Sequence, residues 1–443
     1  MNSKHKMKIM EDVFETNSEM TESKTDRQEL ITWWKQSALR NAKVLVVGAG
    51  AIGNELLKNL ALLGIGYVVT SDMDHISASN LSRTVLFTAD DLGKQKALVA
   101  AQRYKDMCVE PSAAVDFFDG NVVSDLGLGV LRRMDIIVGC LDNLQTRFET
   151  SRRCVLLQKP YIDAGISELT WSLTESHYPH SGCWSCSMTS QLERAAMMFE
   201  RHSCDVTKAR ALATGHAPTT QVASAMVASL QAQDVVKYLV RTEWERSDEE
   251  IRSDAAAEPP KVSFGTRFSF DGKTNTMMAT PFSTRLRCCE ENHHSYDEIT
   301  ETEMSADWTL RQMFDYVRQR YGEGFYLSLY GDNRYQKAAF VTTGRCRRCG
   351  KAIDIYKSQK HLTDADLFCS DCHSGTPKML SEAIEKVVFY EKDDERILEL
   401  SLHQIGIPYL HIIELYRDED GATLALELTA DLPRVLPNYV QKV

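Results

Sequence analysis

Twelve cysteines are spread along the chain, and six of them stand in three C-x-x-C units: Cys183-Trp-Ser-Cys186, Cys346-Arg-Arg-Cys349 and Cys369-Ser-Asp-Cys372. Two thiolates at that spacing can grip one metal ion from a tight turn. Nineteen residues separate the second pair from the third. That is the pattern of a four-thiolate zinc ribbon, and four protein ligands leave no open position, so this Zn²⁺ is expected to be structural. The first pair has no such neighbour. Its completion is expected from Cys288-Cys289-Glu-Glu-Asn-His293-His294. The expected set is Cys183, Cys186, Cys289 and His293, with Cys288 and His294 as alternates. Cys204 belongs to no pair and sits among Arg201, His202 and Lys208. Nearby positive charge lowers a thiol pKa, so Cys204 is the candidate nucleophile. Cys108, Cys140 and Cys154 fall in apolar patterns and read as core thiols.

A second constellation suits a nucleoside triphosphate. Gly48-Ala-Gly50-Ala-Ile-Gly53 lies between an apolar run of strand length (Lys43 to Gly48) and an amphipathic stretch (Ile52 to Leu63). Glycines there allow a tight turn and let backbone N–H groups approach phosphate oxygens. Asp72 and Asp74 follow Gly53 by 19 and 21 residues, where a carboxylate can accept hydrogen bonds from ribose hydroxyls. Then come Asn80-Leu-Ser-Arg83 and Gly93-Lys-Gln-Lys96. A dinucleotide has no need of that string of cations, whereas β- and γ-phosphates do. Asp142, just past the apolar run Met134 to Gly139, would stand at the carboxyl edge of a sheet, where it can hold a Mg²⁺ ion bridging phosphates.

Strand-length runs at 43–48, 67–71 and 134–139 alternate with helical patterns at 52–63, 94–105 and 146–158. The fold class expected is therefore α/β: a Rossmann-like, mostly parallel sheet with helices on both faces. A helix is also expected over 26–41, and a long one over 218–241 whose alanines 223, 225, 228 and 232 permit close packing. An acidic, alanine-rich stretch ending in Pro259-Pro260 reads as a linker. The expected organisation is a flexible tail at 1–20, an ATP-binding domain at 21–246 and a linker at 247–261. A strand extension at 262–298, turning at Asp271-Gly272, completes the first metal site. A smaller α+β module at 299–443 carries the zinc ribbon at 346–372.

At 443 residues the chain is long enough for two or three domains. Fifty-one Lys and Arg against 62 Asp and Glu give a formal charge of −11, which argues against a nucleic-acid or anionic-membrane partner. No apolar run reaches spanning length and the first ten residues are polar, so a cytoplasmic protein is expected, with cysteines reduced rather than paired in disulfides.

The ordered set Val44 to Leu60, Asp72-Met-Asp74, Ser79-Asn-Leu-Ser-Arg83 and Leu141-Asp-Asn143 resembles the ubiquitin-activating enzyme family and its bacterial relatives, the adenylyltransferases of thiamine and molybdopterin synthesis. The resemblance covers about residues 25–245. It implies Mg·ATP-dependent adenylation of the C-terminal glycine carboxylate of a ubiquitin-like or sulfur-carrier protein. By motif position it makes Asp72 the ribose ligand, Asn80, Arg83 and Lys96 the phosphate contacts, and Asp142 the Mg²⁺-holding catalytic aspartate. Arg27 resembles an arginine that reaches into a partner subunit's site, which implies a homodimer. Cys204 falls in the loop where the family often carries its thioester-forming cysteine. The C-terminal module stands where activating enzymes have a ubiquitin-like domain that recruits a conjugating enzyme. Two departures are Ala51, in place of a glycine, and Thr84, in place of a glutamine.

Overall fold

The computed structural model describes residues 23–188, 219–248, 257–285, 288, 293–329, 339–346, 348–367, 369, 371 and 380–442. An uninterrupted apolar run needs burial on both faces, and Lys43–Val47 obtains it as β1, inside an eight-stranded sheet. β2 (Tyr67–Ser71), β3 (Ala114–Phe118), β4 (Ile136–Gly139) and β5 (Tyr161–Ser167) run parallel to it. β6 (Thr170–Ser176), β7 (Thr266–Asp271) and β8 (Thr276–Pro281) extend the sheet antiparallel. The spatial order is β3-β2-β1-β4-β5-β6-β7-β8. The winding reverses between β1 and β4, and the crevice at the carboxyl ends of those strands is where such sheets take ligands.

Helices cover both faces, as expected. Val44, Val46, Val68, Ile136 and Val138 pack against Leu56, Leu57 and Leu60 of α1 (Ala51–Leu63). α2 (Lys96–Met107) lies on the same side. Leu45, Val47, Val69 and Ile137 face Phe148 and Val155 of α3 (Leu144–Leu156). The long helix α4 (Gln221–Arg246) buries Ala223, Ala228 and Ala232 against the first layer, three of the four alanines expected to pack closely, while Ala225 is only half-buried. The stretch expected as one helix over 26–41 is two, Asp26–Glu29 and Gln36–Asn41. The break lets Gln36 donate from Nε2 to the Leu63 carbonyl (3.0 Å) at the end of α1. No helix among the described residues is long and apolar enough to cross a membrane.

The C-terminal unit has its own core around Met313, Phe314, Phe340, Phe389 and Leu415. Its strands are β9 (Thr300–Thr302), β10 (Tyr326–Ser328), β11 (Phe340–Cys346), β12 (Ala352–Ser358), β13 (Leu380–Lys386), β14 (Val388–Tyr390), β15 (Ile412–Tyr416) and β16 (Thr423–Leu428). Five of them form the sheet β14-β10-β15-β16-β9, and the ribbon adds β12-β11-β13. Helix α5 (Leu310–Tyr321), with Thr309 and Gln312 forming its capping box, follows β9, and β9 pairs parallel with β16.

The unit is bolted to the eight-stranded sheet. The fully buried Glu427 carboxylate accepts from both Arg132 and Arg133, and Arg132 also reaches Glu301 (2.7 Å). The Gly129 N–H donates to the Leu410 carbonyl (2.9 Å). A Cβ on Gly127 or Gly129 would meet backbone oxygens of residues 409–410 at under 3 Å, so glycine is what permits this approach. The short helix Pro437–Lys442 returns to the outer strand β3, where Asn438 donates from Nδ2 to the Val115 carbonyl (3.0 Å) and to Asp116 Oδ1 (2.8 Å).

Candidate active site and metal centres

β1 delivers the glycine loop directly into the crevice. Gly48 has φ of +99°, and a Cβ there would sit 2.5 Å from the Cys140 carbonyl oxygen. A Cβ on Gly53 would lie 1.9 Å from the Gly48 carbonyl oxygen, so α1 can start here only with glycine. Asn54, fully buried, secures the turn. Its Nδ2 donates to the carbonyls of Ala49 (2.7 Å) and Gly50 (3.1 Å), and its Oδ1 accepts from the Leu86 N–H (3.0 Å). The irregular segment that follows Arg83 is thereby anchored to the loop.

Asp72 leaves the end of β2 with one oxygen accepting from the Ala49 N–H (2.7 Å) and the other from the Asp74 N–H (2.9 Å). Burial raises its carboxyl above the usual range, while Lys96 and the two N–H groups oppose the rise. Asp74 pairs with the Lys96 ammonium (2.8 Å) at the first residue of α2. Asn80 turns its side chain inward as a cap, Oδ1 accepting from the Ser77 N–H (2.9 Å). Arg83 donates to the Ser79 carbonyl (2.6 Å). Thr84, the residue in the glutamine position, is buried with its hydroxyl on the Asn80 carbonyl (2.9 Å). Asp142 stands exposed three residues after β4, one carboxylate oxygen accepting from Asn143 Nδ2 (3.3 Å). Glycine loop, Asp72 and Asp142 all occupy the carboxyl edge of the parallel strands. Arg27 is exposed on its short helix. Cys204, Arg201, His202 and Lys208 lie outside the described residues.

The residues around Asp142 carry a network that sequence reading missed. Asn143 caps α3, its Oδ1 accepting from the Thr146 N–H (2.8 Å). The buried Arg147 guanidinium donates to the Leu141 carbonyl and to Asp163 Oδ2 (2.5 Å). Asp163 also accepts from the Tyr161 hydroxyl (3.0 Å) and the Trp184 indole N–H (2.9 Å). Arg147 sits five positions after Asp142 and Trp184 lies between two cysteines; those adjacencies were the available signal. Asp163 had none.

The first metal cluster forms, with one change of member. Cys183, Cys186, Cys288 and His293 are buried, and their ligand atoms all lie within 4.8 Å of one another. Cys183 Sγ is 3.5 Å from Cys288 Sγ and 3.7 Å from Cys186 Sγ, while Cys186 Sγ is 3.2 Å from His293 Nε2. Sulfurs about 2.3 Å from a tetrahedral zinc stand about 3.7 Å apart, so the cage fits Zn²⁺. The alternate Cys288 thus takes the place expected for Cys289, which lies outside the described residues. Cys183 Sγ lies between the Cys186 and Cys288 sulfurs, so three thiolates there would repel one another. Such mutual charge demand is what a divalent ion relieves. His294 is outside the cluster.

In the ribbon, Cys346, Cys349 and Cys369 converge, with Cys349 and Cys369 sulfurs 3.6 Å apart. A knuckle at the end of β11 closes through the Gly350 N–H on the Cys346 carbonyl (2.8 Å), with Gly350 at φ of +73°. Cys372 lies outside the described residues. Cys140 and Cys154 are buried thiols whose pKa burial raises, and Cys108 is half-buried.

Away from this crevice, buried Glu175 on β6 stands beside Asp234 on α4, and burial followed by that neighbouring carboxyl pushes its carboxyl up to about 9. Lys237 pairs with Asp234 (2.8 Å).

Residues 24–302 match the profile of the ThiF family. Over 144 residues the chain is 36% identical to the sulfur carrier protein adenylyltransferase of Thermus thermophilus, which covers 32% of this chain and 52% of that protein. Over 154 residues it is 39% identical to the Homo sapiens ubiquitin-like modifier-activating enzyme 7, covering 33% of this chain and 15% of that protein. The match thus spans about half the length of the bacterial relative and far less of the human one. Among solved structures, E. coli MccB with succinimide aligns over 61% of this chain and 74% of its own at a TM-score of 0.47 and 22% identity.

Proposed function

We propose that this chain, which belongs to the ThiF family, adenylates the C-terminal carboxylate of a small ubiquitin-like or sulfur-carrier protein at the β1/β4 crevice. The supporting observation is the arrangement along one sheet edge of the glycine loop, Asp72, the Lys96 and Arg83 cations and Asp142. A carboxylate is already ionised at pH 7, so the reaction needs alignment and charge stabilisation more than a base. A carrier carboxylate oxygen attacks the α-phosphorus of ATP. The α–β phosphoanhydride bond breaks, and pyrophosphate leaves with the electron pair. Backbone N–H groups of residues 48–53 cradle phosphates, Asp72 holds the ribose, Asn80 is a neutral phosphate contact, and Arg83 and Lys96 neutralise the growing charge. Asp142 would hold Mg²⁺, which supplies further charge neutralisation on the phosphates.

The reading continues to a second step. The Cys204 thiolate attacks the acyl carbon of the adenylate, AMP leaves, and the thioester passes to a cysteine of a conjugating-enzyme-like protein. The large docked unit beyond residue 302 supports this step, since adenylation alone gives it no task. The sulfur-carrier alternative is favoured by the Thermus relative, and there the thiol would serve sulfur transfer. Zn²⁺ in both cages is structural, and a second copy of the chain would bring Arg27 to the site.

The test is incubation with Mg·ATP and small ubiquitin-fold proteins ending in Gly-Gly, with mass read before and after thiol treatment. Pyrophosphate exchange into ATP should require the carrier, vanish in Asp142→Ala and survive in Cys204→Ala. A thiol-sensitive adduct persisting in Cys204→Ala sinks the nucleophile assignment. For the dimer, mixing Arg27→Ala with Asp142→Ala should restore about a quarter of wild-type exchange through hybrid sites; no recovery removes Arg27 from its partner's site.

A further inference from the structure

Asp142 carries its proposed role on an exposed loop, yet neither of its neighbours is loose. Leu141 is held through its carbonyl by Arg147, and Asn143 is fixed as the cap of α3. Arg147 is in turn held by Asp163, 2% exposed and satisfied on both oxygens by Arg147, Tyr161 and the Trp184 indole. Trp184 is a residue of the first metal knuckle, between Cys183 and Cys186. The close approach depends on Gly139 at the end of β4. A Cβ there would come within 2.4 Å of the Tyr161 hydroxyl and 2.5 Å of Asp163 Oδ1.

We propose that Arg147 is the positioning residue for Asp142, and that Asp163 and Trp184 carry its hold back to the Cys183–Cys186–Cys288–His293 cage. The cage then has a task in the nucleotide site: it fixes the indole that aims a buried carboxylate, which aims the guanidinium that sets the Asp142 loop. The physical grounds are burial and satisfaction. An Asp–Arg pair removed from water is costly unless every hydrogen bond is met. Here the partners that meet them are the Tyr161 hydroxyl, the indole of one metal knuckle and one backbone carbonyl beside Asp142. A guanidinium can hold a carboxylate and a carbonyl at once in a fixed plane, whereas a lysine ammonium cannot reproduce that fork.

This inference rests on the adenylation reading, and its test separates the two. A fluorescent ATP analogue is titrated into the full chain with and without added Mg²⁺, for wild type, Arg147→Lys, Asp163→Asn and Trp184→Phe, alongside zinc content per chain and thermal melting. Wild type should bind more tightly with Mg²⁺. The variants should keep Mg²⁺-free affinity within about twofold and lose about tenfold of the Mg²⁺-dependent gain, the scale of losses seen when partners orienting a metal ligand are removed. Trp184→Phe keeps all four cage ligands and should keep its zinc, so a loss of the Mg²⁺ gain there reports positioning rather than collapse. If Arg147→Lys or Asp163→Asn fails to fold, Trp184→Phe decides. Variants that melt earlier yet retain the full Mg²⁺ gain overturn the positioning role and leave the adenylation reading intact. A wild-type chain whose ATP affinity ignores Mg²⁺ overturns the adenylation reading and this proposal with it.

Discussion

The Lys96 ammonium stands 2.8 Å from Asp74 Oδ2, with the lysine side chain only 10% exposed and the aspartate 59% exposed. The cation is thus held at the crevice by a carboxylate that water also solvates, a partner that phosphate oxygens can displace. Lys96→Met should weaken ATP by about tenfold or more, in keeping with the 1.5–3 kcal/mol of a hydrogen bond to a charged group. Adenosine, which has no phosphate, should bind as before. Competition titrations with the two ligands measure this. Equal losses for both would show that Lys96 supports the fold rather than the phosphates.

The glycine loop allows a sharper contrast. Gly53→Ala forces a methyl to within 1.9 Å of the Gly48 carbonyl, whereas a Cβ on Gly50 meets nothing within 4 Å. Gly53→Ala should cost about 2 kcal/mol of stability through overpacking and abolish ATP binding. Gly50→Ala should stay within about 0.5 kcal/mol of wild type, as unobstructed substitutions do. Urea midpoints for the two variants decide the matter. A Gly53→Ala midpoint equal to wild type would mean that α1 can shift away.

The metal cages make a stoichiometric prediction. Metal analysis of the purified chain should give about two zinc ions per chain, one for each four-ligand set. Cys288→Ser should leave about one, and Cys289→Ser about two. The reverse pattern would return the fourth ligand to Cys289.

Glu175 sets a pH dependence of stability. Its folded pKa is pushed up from the ordinary 4.5 to about 9 by burial and by Asp234. Between those limits the folded state keeps a proton that the unfolded chain gives up. The contribution is therefore complete below about pH 4.5 and is lost as pH rises towards 9, at up to about 1.4 kcal/mol per pH unit. Glu175→Gln, neutral throughout, should melt at a temperature that falls less between pH 6 and pH 8.5. An unchanged slope of melting temperature against pH would assign it to other groups.

The nucleotide half of the fold was legible in sequence because its signals are local. Lys43–Val47 and Ile136–Gly139 are unbroken apolar runs, and Gly48 to Gly53 has a spacing that only backbone approach explains. β3, β5 and β6 were not legible. Tyr161–Ser167 carries Asp163 and Gly165 inside a strand, because the carboxylate is paid for by Arg147, Tyr161 and Trp184, partners 16, 2 and 21 residues away. No periodicity encodes such long-range satisfaction. The choice of Cys288 over Cys289 was equally hidden, since it depends on where Phe282 to Arg285 leaves the chain beside Cys186, whose sulfur accepts from the Arg285 N–H (3.3 Å). In the C-terminal unit, residues 387–400 alternate like sheet in the sequence, and only Val388–Tyr390 is a strand. The structure places a helix at Glu395–Leu398, capped by Asp394, where a local side-chain cap overrides the pattern.

The helix Pro437–Lys442 on β3 has a bearing on how the molecule is made. Asn438 and Asp116 are 322 residues apart in sequence, and β3 is the outer strand of the sheet. At a synthesis rate of about 5–20 residues per second, that separation corresponds to roughly 15–65 seconds of translation. Throughout that interval the nascent sheet presents a bare strand flank, the kind of surface on which chains pair wrongly with one another. The chain's own late segment is the cover, so a ribosome stalled ahead of residue 437 leaves behind an eight-stranded sheet with that outer strand uncovered.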